Sequence, residues 1–233
     1  MGQHVVSVQG VSKVYSQDTV PFVAVKNVSF DVTQGDFMAL VGPSGSGKTT
    51  LLNMIGALDT PTEGTIAIAG EPLQDKSKRE LSLIRRDLIG FVFQSFNLIP
   101  VLSARENVEL TLSLQKVPKS EKKERAFKAL EEVGLKGMED RRPFQLSGGQ
   151  QQRVAIARAI APRPHMILAD EPTANLDSKT AVAILDLMKR LSEERGVTFL
   201  FSTHDHRIVK AVKRLIRMQD GEIEHDTKLP TQE

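Results

Sequence analysis

The stretch 37-FMALVGPSGSGKTT-50 decides the fold. Phe37 to Val41 is wholly apolar and runs straight into a glycine-rich loop, which fits a strand buried on both faces of a parallel sheet. The loop, Gly42-x-x-x-x-Gly47-Lys48-Thr49, has the spacing of a phosphate-binding loop, and 49-TTLLNMIGAL-58 continues it as a helix. Glycines let successive backbone N–H groups converge on phosphate oxygens without Cβ clashes. The helix beginning near Lys48 adds its positive dipole end. Lys48 is suited to neutralising β- and γ-phosphates and Thr49 to offering a hydroxyl to Mg²⁺, with Pro43, Ser44, Gly45, Ser46 and Thr50 completing the cradle.

Upstream, alternation in 4-HVVSVQGVSKVY-15 and 23-VAVKNVSFDV-32 predicts antiparallel strands that end at a turn on Gln34-Gly35. Downstream, Gly64 to Gly70 and 89-IGFVFQ-94 read as further strands. From about residue 95 the pattern turns helical. In 120-SEKKERAFKALEEVG-134, Ala126, Phe127, Leu130 and Val133 form one apolar stripe that stops at Gly134. A second helix, 150-QQQRVAIARAIA-161, ends at Pro162 and Pro164. Strands return in 166-MILAD-170 and 197-VTFLFS-202 around the helix 178-SKTAVAILDLMKRLSEE-194, and 214-RLIRMQDGEIEH-225 is a hairpin turning at Asp220-Gly221. The expectation is a mainly parallel α/β core interrupted by a helical insertion.

Composition narrows the classes. The 233 residues suit one large domain, or a core with a subdomain inserted. A net charge of +2, from 31 basic and 29 acidic residues, is too balanced to argue for nucleic acid. There is no cysteine and hence no disulfide. Neither a signal-peptide profile at the start nor a run of ~18 apolar residues is present, so a cytosolic chain that does not itself cross a bilayer is expected.

The run 166-MILADEP-172 ends in two carboxylates. Asp170, at the strand tip, is placed to hold Mg²⁺ through water, and Glu171 to orient or deprotonate an attacking water. A second glycine run, 145-QLSGGQQQR-153, has Ser147 and Gln150 in the relation of a capping box. That leaves Gly148 and Gly149 unexplained, because a plain helix start does not favour two glycines. They make sense if an anion, a phosphate above all, approaches the backbone closely.

Together, 42-GPSGSGKTT-50, Gln94, 146-LSGGQ-150, 167-ILADEP-172, 174-ANLD-177 and His204 resemble the ATP-binding subunit of an ABC transporter over essentially the whole chain. The resemblance implies a P-loop NTPase (RecA-like) core with an N-terminal antiparallel β-subdomain and an inserted helical subdomain. Residues 1–94 and 164–233 would form the first two parts and about 95–163 the last, in one domain spanning 1–233. It implies ATP and Mg²⁺, the latter on Thr49, Gln94 and Asp170. It also implies a second copy paired head to tail, with Ser147, Gly148, Gly149 and Gln150 capping the ATP on the neighbour's phosphate loop. Tyr15, the only tyrosine, matches the aromatic that stacks on adenine. Gln94 matches the residue reaching Mg²⁺ and the attacking water, and His204 the switch histidine at the γ-phosphate. Asp177 matches the loop that communicates across the dimer; Ala174 stands where relatives often have Gly or Ser. The catalytic set is thus Lys48, Gln94, Glu171 and His204.

A membrane permease is the partner this implies, with no nucleic acid, at the cytoplasmic face of the membrane. The apolar loop Gln94–Leu102, with Phe96, Leu98, Ile99 and Pro100, is the docking surface expected. The subgroup resembled is that of lipoprotein release and macrolide efflux; amino-acid importers and cell-division members are rivals within the family. A soluble ABC ATPase of DNA repair or translation would carry a long coiled coil or two cores in one chain, and this chain has neither. A nucleotide sensor without turnover has no need of Glu171 and His204, and a small-molecule kinase has no use for LSGGQ.

Overall fold

The computed structural model describes residues 4–17 and 20–229. Two sheets share the work. The first is antiparallel, with order β2-β1-β4-β5, from β1 (His4–Gln17), β2 (Val20–Thr33), β4 (Glu63–Ile68) and β5 (Glu71–Pro72). The second, β10-β9-β3-β8-β7-β6, contains β3 (Phe37–Val41), β6 (Ile89–Phe93), β7 (Met166–Asp170), β8 (Thr198–Thr203), β9 (Arg214–Gln219) and β10 (Glu222–Lys228). All its pairs are parallel except the closing β9–β10 hairpin.

The apolar runs read as doubly buried strands behave as such. Along β3, Phe37 and Ala39 enter one core while Met38 and Leu40 enter the other, and β7 and β8 divide in the same way. On one side, Phe37 meets Phe199 and Phe201 edge-on, with ring centroids 5.7 and 4.9 Å apart. That core continues without a break into the helices between β6 and β7. These are α3 (Ala104–Leu114), α4 (Lys119–Glu132) and α5 (Gly148–Ile160), which add Val108, Leu130 and Val154. The remaining helices are α1 (Lys48–Ile55), α2 (Lys78–Leu88), α6 (Ser178–Arg195) and α7 (His206–Ala211).

Three local readings change. Helix α1 stops at Ile55 rather than running to residue 58: the Gly56 N–H closes on the Leu52 carbonyl, and Ala57 turns to φ 52°. The stripe of α4 uses Ala126, Ala129 and Leu130, while Phe127 stays 37% exposed under the Lys123 ammonium. The sequence reading places nothing between Gly70 and Ile89, yet α2 lies there. It starts with a reciprocal capping box, Ser77 with Glu80, and buries only Leu81 and Ile84.

Candidate active site

The parallel strands end on one edge, and the loops leaving them build the site. Gly42 and Gly47 are fixed by crowding. A Cβ on Gly42 would meet the Met218 carbonyl of β9, and one on Gly47 the Ala24 carbonyl of β2, each inside 3.0 Å. The loop is therefore wedged between the two sheets. From behind, the Gly221 N–H donates to the Ser46 carbonyl (3.2 Å) and the Gly221 carbonyl accepts from Lys26 N–H (2.8 Å), tying the β9–β10 turn to the loop and to β2. The Lys48 ammonium, on the first residue of α1, donates to the Gly42 and Pro43 carbonyls at 2.8 Å. Burial lowers its pKa, against the pull of the Glu171 and Asp170 charges.

Glu171 follows β7 directly in a left-handed conformation, φ 45°, that only glycine adopts without strain. Both of its oxygens are held: the Thr203 hydroxyl donates to Oε2 (2.9 Å), and Oε1 lies 2.6 Å from His204 Nδ1. His204 is otherwise open, with 78% of its side chain exposed. One cavity of about 680 Å³ is lined by Gly42–Thr50, Gln94, Glu171, Ser202 and His204, with Phe22 and Ala24. The residues singled out on four separate loops therefore face one space.

Asp170 sits one step back, half-buried; burial raises its carboxyl pKa, with the Glu171 charge adding and Lys48 opposing. Gln94 and Asn175 exchange hydrogen bonds, amide to amide at 3.3 Å and Asn175 side chain to Gln94 carbonyl at 3.0 Å. Asp177 caps α6 by accepting from the Lys179 and Thr180 N–H groups. The oxygen set of Thr49, Gln94 and Asp170 holds one carboxylate, and no cluster of three acidic, His or Cys ligands occurs among the described residues. Hard neutral oxygens with a single charge suit Mg²⁺, which keeps waters and takes phosphate oxygens rather than entering an all-protein cage.

Residues Ser147–Gln150 do not line this cavity. They start α5 with the capping box expected, Gln150 N–H to Ser147 Oγ and Ser147 N–H to Gln150 Oε1. The reason for Gly149 is internal: a Cβ there would strike the Thr180 methyl on α6 inside 3.0 Å. Gly148 has only Leu176 and Phe96 at ordinary contact distance and stays half-exposed.

Tyr15 is not a lining residue either. Its hydroxyl donates to Asp59 (2.7 Å) and its ring lies 4.9 Å from the Lys13 ammonium. Phe22, directly opposite in the β1–β2 register, is the aromatic in the cavity wall. Sequence reading passed over it, and only the register of the hairpin could have paired it with Tyr15.

A second cavity, of about 600 Å³ and mostly apolar, opens between α2, β6, α3 and α5. Leu58, Leu83, Phe91, Leu110, Leu114 and Pro162 line it, with Arg85, Arg86 and Arg158. Of the loop Gln94–Leu102 only Asn97 reaches this groove. Leu98 packs on the core, and the Ile99 N–H is taken by Asn107. The Arg158 guanidinium binds the Phe96 and Asn97 carbonyls, both residues having positive φ.

Comparison with known proteins places this arrangement. The family described as ABC transporter matches residues 25–174. An uncharacterized ABC transporter ATP-binding protein of Methanocaldococcus jannaschii, MJ0796, is 48% identical over 228 residues, covering 96% of this chain and 97% of that protein. A macrolide export ATP-binding/permease protein, MacB, of Syntrophobacter fumaroxidans is 44% identical over 95% of this chain and only 31% of its own length. Among solved structures, the dimeric post-hydrolysis state of the MJ0796 cassette, bound to ADP and Pi, superposes with a TM-score of 0.88 at 47% identity. It covers 97% of this chain and all of that one.

Proposed function

The chain belongs to the ABC transporter family, and on that premise we propose that two copies pair head to tail, each ATP lying between one copy's phosphate loop and the other's Ser147–Gln150. Within the family it is an ATP-binding subunit and an ATPase. The observation that carries the proposal is the placement of Glu171 and His204, 2.6 Å apart, on the same cavity as the phosphate loop, with Ser147–Gln150 outside it. With the chain's own α5 outside that cavity, this reading takes the cap from a second copy. The dimeric state of the M. jannaschii relative supports this.

In the reaction proposed, Lys48 and the loop N–H groups hold the β- and γ-phosphates. Glu171 orients a water and takes its proton as the water oxygen bonds to the γ-phosphorus. The bond from that phosphorus to the β–γ bridging oxygen breaks, and ADP keeps the electron pair. His204, a lining residue of the cavity, is held to Glu171 through Nδ1, and its other ring nitrogen is the one available to the γ-phosphate. Thr49, Gln94 and Asp170 would hold Mg²⁺, whose chemistry there would be charge neutralisation of the phosphates.

The work drives a separate permease, of the lipoprotein-release or macrolide-efflux kind that the MacB relative supports, which would hold the chain at the cytoplasmic face of a membrane. Among the described residues no helix is long and apolar enough to cross a membrane. The docking surface proposed is the apolar groove beside α2 and β6. Arg158 links its wall to the loop after Gln94, so movement in one reaches the other. Phosphate release from Mg-ATP tests the site. Glu171→Gln is expected to lose about 10²–10⁴-fold in rate while still binding ATP. A variant that hydrolyses like the wild type would remove Glu171 from the mechanism.

A further inference from the structure

Beyond Asp170 and Ser202, the last pair of the β7–β8 ladder, the two chain segments stay joined. The Glu171 N–H donates to the Ser202 carbonyl at 2.9 Å, although the residue has turned to φ 45°. The Thr203 hydroxyl donates to Glu171 Oε2 at 2.9 Å and accepts from the Asp205 N–H at 3.0 Å. The Thr173 hydroxyl donates to Asp205 Oδ2 at 2.7 Å. Arg207 holds the same carboxylate through its backbone N–H and its guanidinium.

The direction of the Thr203 bond is forced. A hydroxyl has one proton to give, the Asp205 N–H already occupies one of its lone pairs, and an ionised carboxylate can only accept. The Thr203 proton therefore goes to Glu171. The other side-chain partner of Glu171 is His204, whose side chain is 78% exposed and has no buried neighbour to steady it through a hydrogen bond. Thr203 is 0% exposed at the end of a central strand, and Thr173, which braces Asp205 behind it, is 1% exposed. Of the two side-chain contacts, the rigid one sets where the carboxylate stands.

We propose that Thr203 is a positioning residue for hydrolysis, which fixes the Glu171 carboxylate for attack and takes no part in holding the nucleotide. The proposal rests on the reading of Glu171 given above and deepens it. Thr203 itself is absent from the cavity wall, so its hydroxyl acts through Glu171 alone. A general base displaced by about 1 Å can lose about 10²-fold in rate, and that is the scale on which the hydroxyl should count.

The full chain is assayed for Mg-ATP hydrolysis in steady state and single turnover, and for Mg-ADP affinity by equilibrium dialysis. The proteins are wild type, Thr203→Val, Thr203→Ser, Glu171→Gln and the double variant carrying Thr203→Val with Glu171→Gln. Thr203→Val keeps the branched shape of the strand residue and removes the hydroxyl. Its kcat is expected to fall about 10–100-fold, with KM and Mg-ADP affinity within about twofold of wild type. Thr203→Ser, which keeps the donor, should stay within about threefold of the wild-type kcat. In the Glu171→Gln background, Thr203→Val should cost less than about twofold more in single turnover, because the carboxylate it positions is gone. An unchanged kcat in Thr203→Val, a full further loss in the Glu171→Gln background, or equal losses of kcat and Mg-ADP affinity would overturn the positioning role. Should Thr203→Val fail to fold, Thr203→Ser against Thr203→Ala isolates the same hydroxyl with the same expected ratio. Hydrolysis by Glu171→Gln at the wild-type rate would instead defeat the reading of Glu171 beneath it.

Discussion

Gly149→Ala separates two reasons for a glycine in the signature loop. In the folded chain the new methyl would fall inside 3.0 Å of the Thr180 Cγ2 atom. Ordinary carbon contacts lie at about 3.5–4.0 Å, so α5 and α6 would have to part by roughly half an ångström or more. Overpacking of this kind costs about 1–3 kcal/mol, while replacing a helical glycine by alanine returns about 0.5–1 kcal/mol. The net expectation is a loss of about 1–2 kcal/mol in urea unfolding. Thr180→Ser deletes only the offending methyl and keeps the N–H that Asp177 caps. In that background Gly149→Ala should be neutral or slightly stabilising, a coupling of about 1–3 kcal/mol. The assay is a double-mutant cycle read by denaturant unfolding, with Mg-ATP hydrolysis measured on the same four proteins. Equal losses with and without the Thr180 methyl would refute the packing argument. Hydrolysis that stays low once stability is restored would mean that a phosphate, as well as Thr180, requires the bare backbone.

Other outcomes can be checked separately. The Asp205 carboxyl is raised by burial but more than compensated by hydrogen bonds from Arg207 and Thr173, leaving it at about 2 against an ordinary 3.8. Folded Asp205 binds its proton more weakly than the unfolded residue does. Its stabilisation is therefore complete above about pH 4 and lost as pH falls through about 2. Allowing for solvent screening this is about 1–2 kcal/mol, so Asp205→Asn should destabilise at pH 7 and converge with wild type near pH 2 in urea titrations. The Tyr15 phenol is raised by burial and by Asp59, so its phenolate absorbance should appear above the ordinary midpoint of 10.0 and move down in Asp59→Asn. An unmoved midpoint would break the link between the two residues. Leu58→Asp with Leu114→Asp, in the apolar groove, should reduce retention of the chain on washed membranes from its own cells by about tenfold or more, since a charge facing an apolar partner is left unpaired. Its ATP affinity should stay unchanged.

The parallel core was legible because its strands are short, apolar and punctuated by loops whose residue types have few other uses. Phe37–Val41 with Gly42–Thr49 sets one edge of the site, and Asp170–Glu171 and His204 lie at the ends of neighbouring strands. What escaped reading depends on distant pairings. Helix α2 is charged on most of its surface and buries two side chains, so apolar periodicity is faint; the Ser77–Glu80 spacing was the signal available. Gly149 answers to Thr180, thirty-one positions on, and no local pattern carries that. Phe22 joins the cavity only through its register with Tyr15 across a hairpin. In the loop expected to dock a partner, an apolar segment looks the same whether it faces that partner or its own core: Leu98 packs inward, while Ile99 and Val101 are exposed.

The β9–β10 turn has a consequence for shortening the protein. Every residue lining the nucleotide cavity precedes residue 205, so a chain cut before Arg214 would keep them all. It would lose the Met218 carbonyl that presses on Gly42 and the Gly221 amide that reaches Ser46. The catalytic edge would then be complete in sequence and slack in shape, because its back wall is supplied by strands that follow every lining residue in the chain. Newly made chains should acquire nucleotide affinity only after that hairpin has emerged.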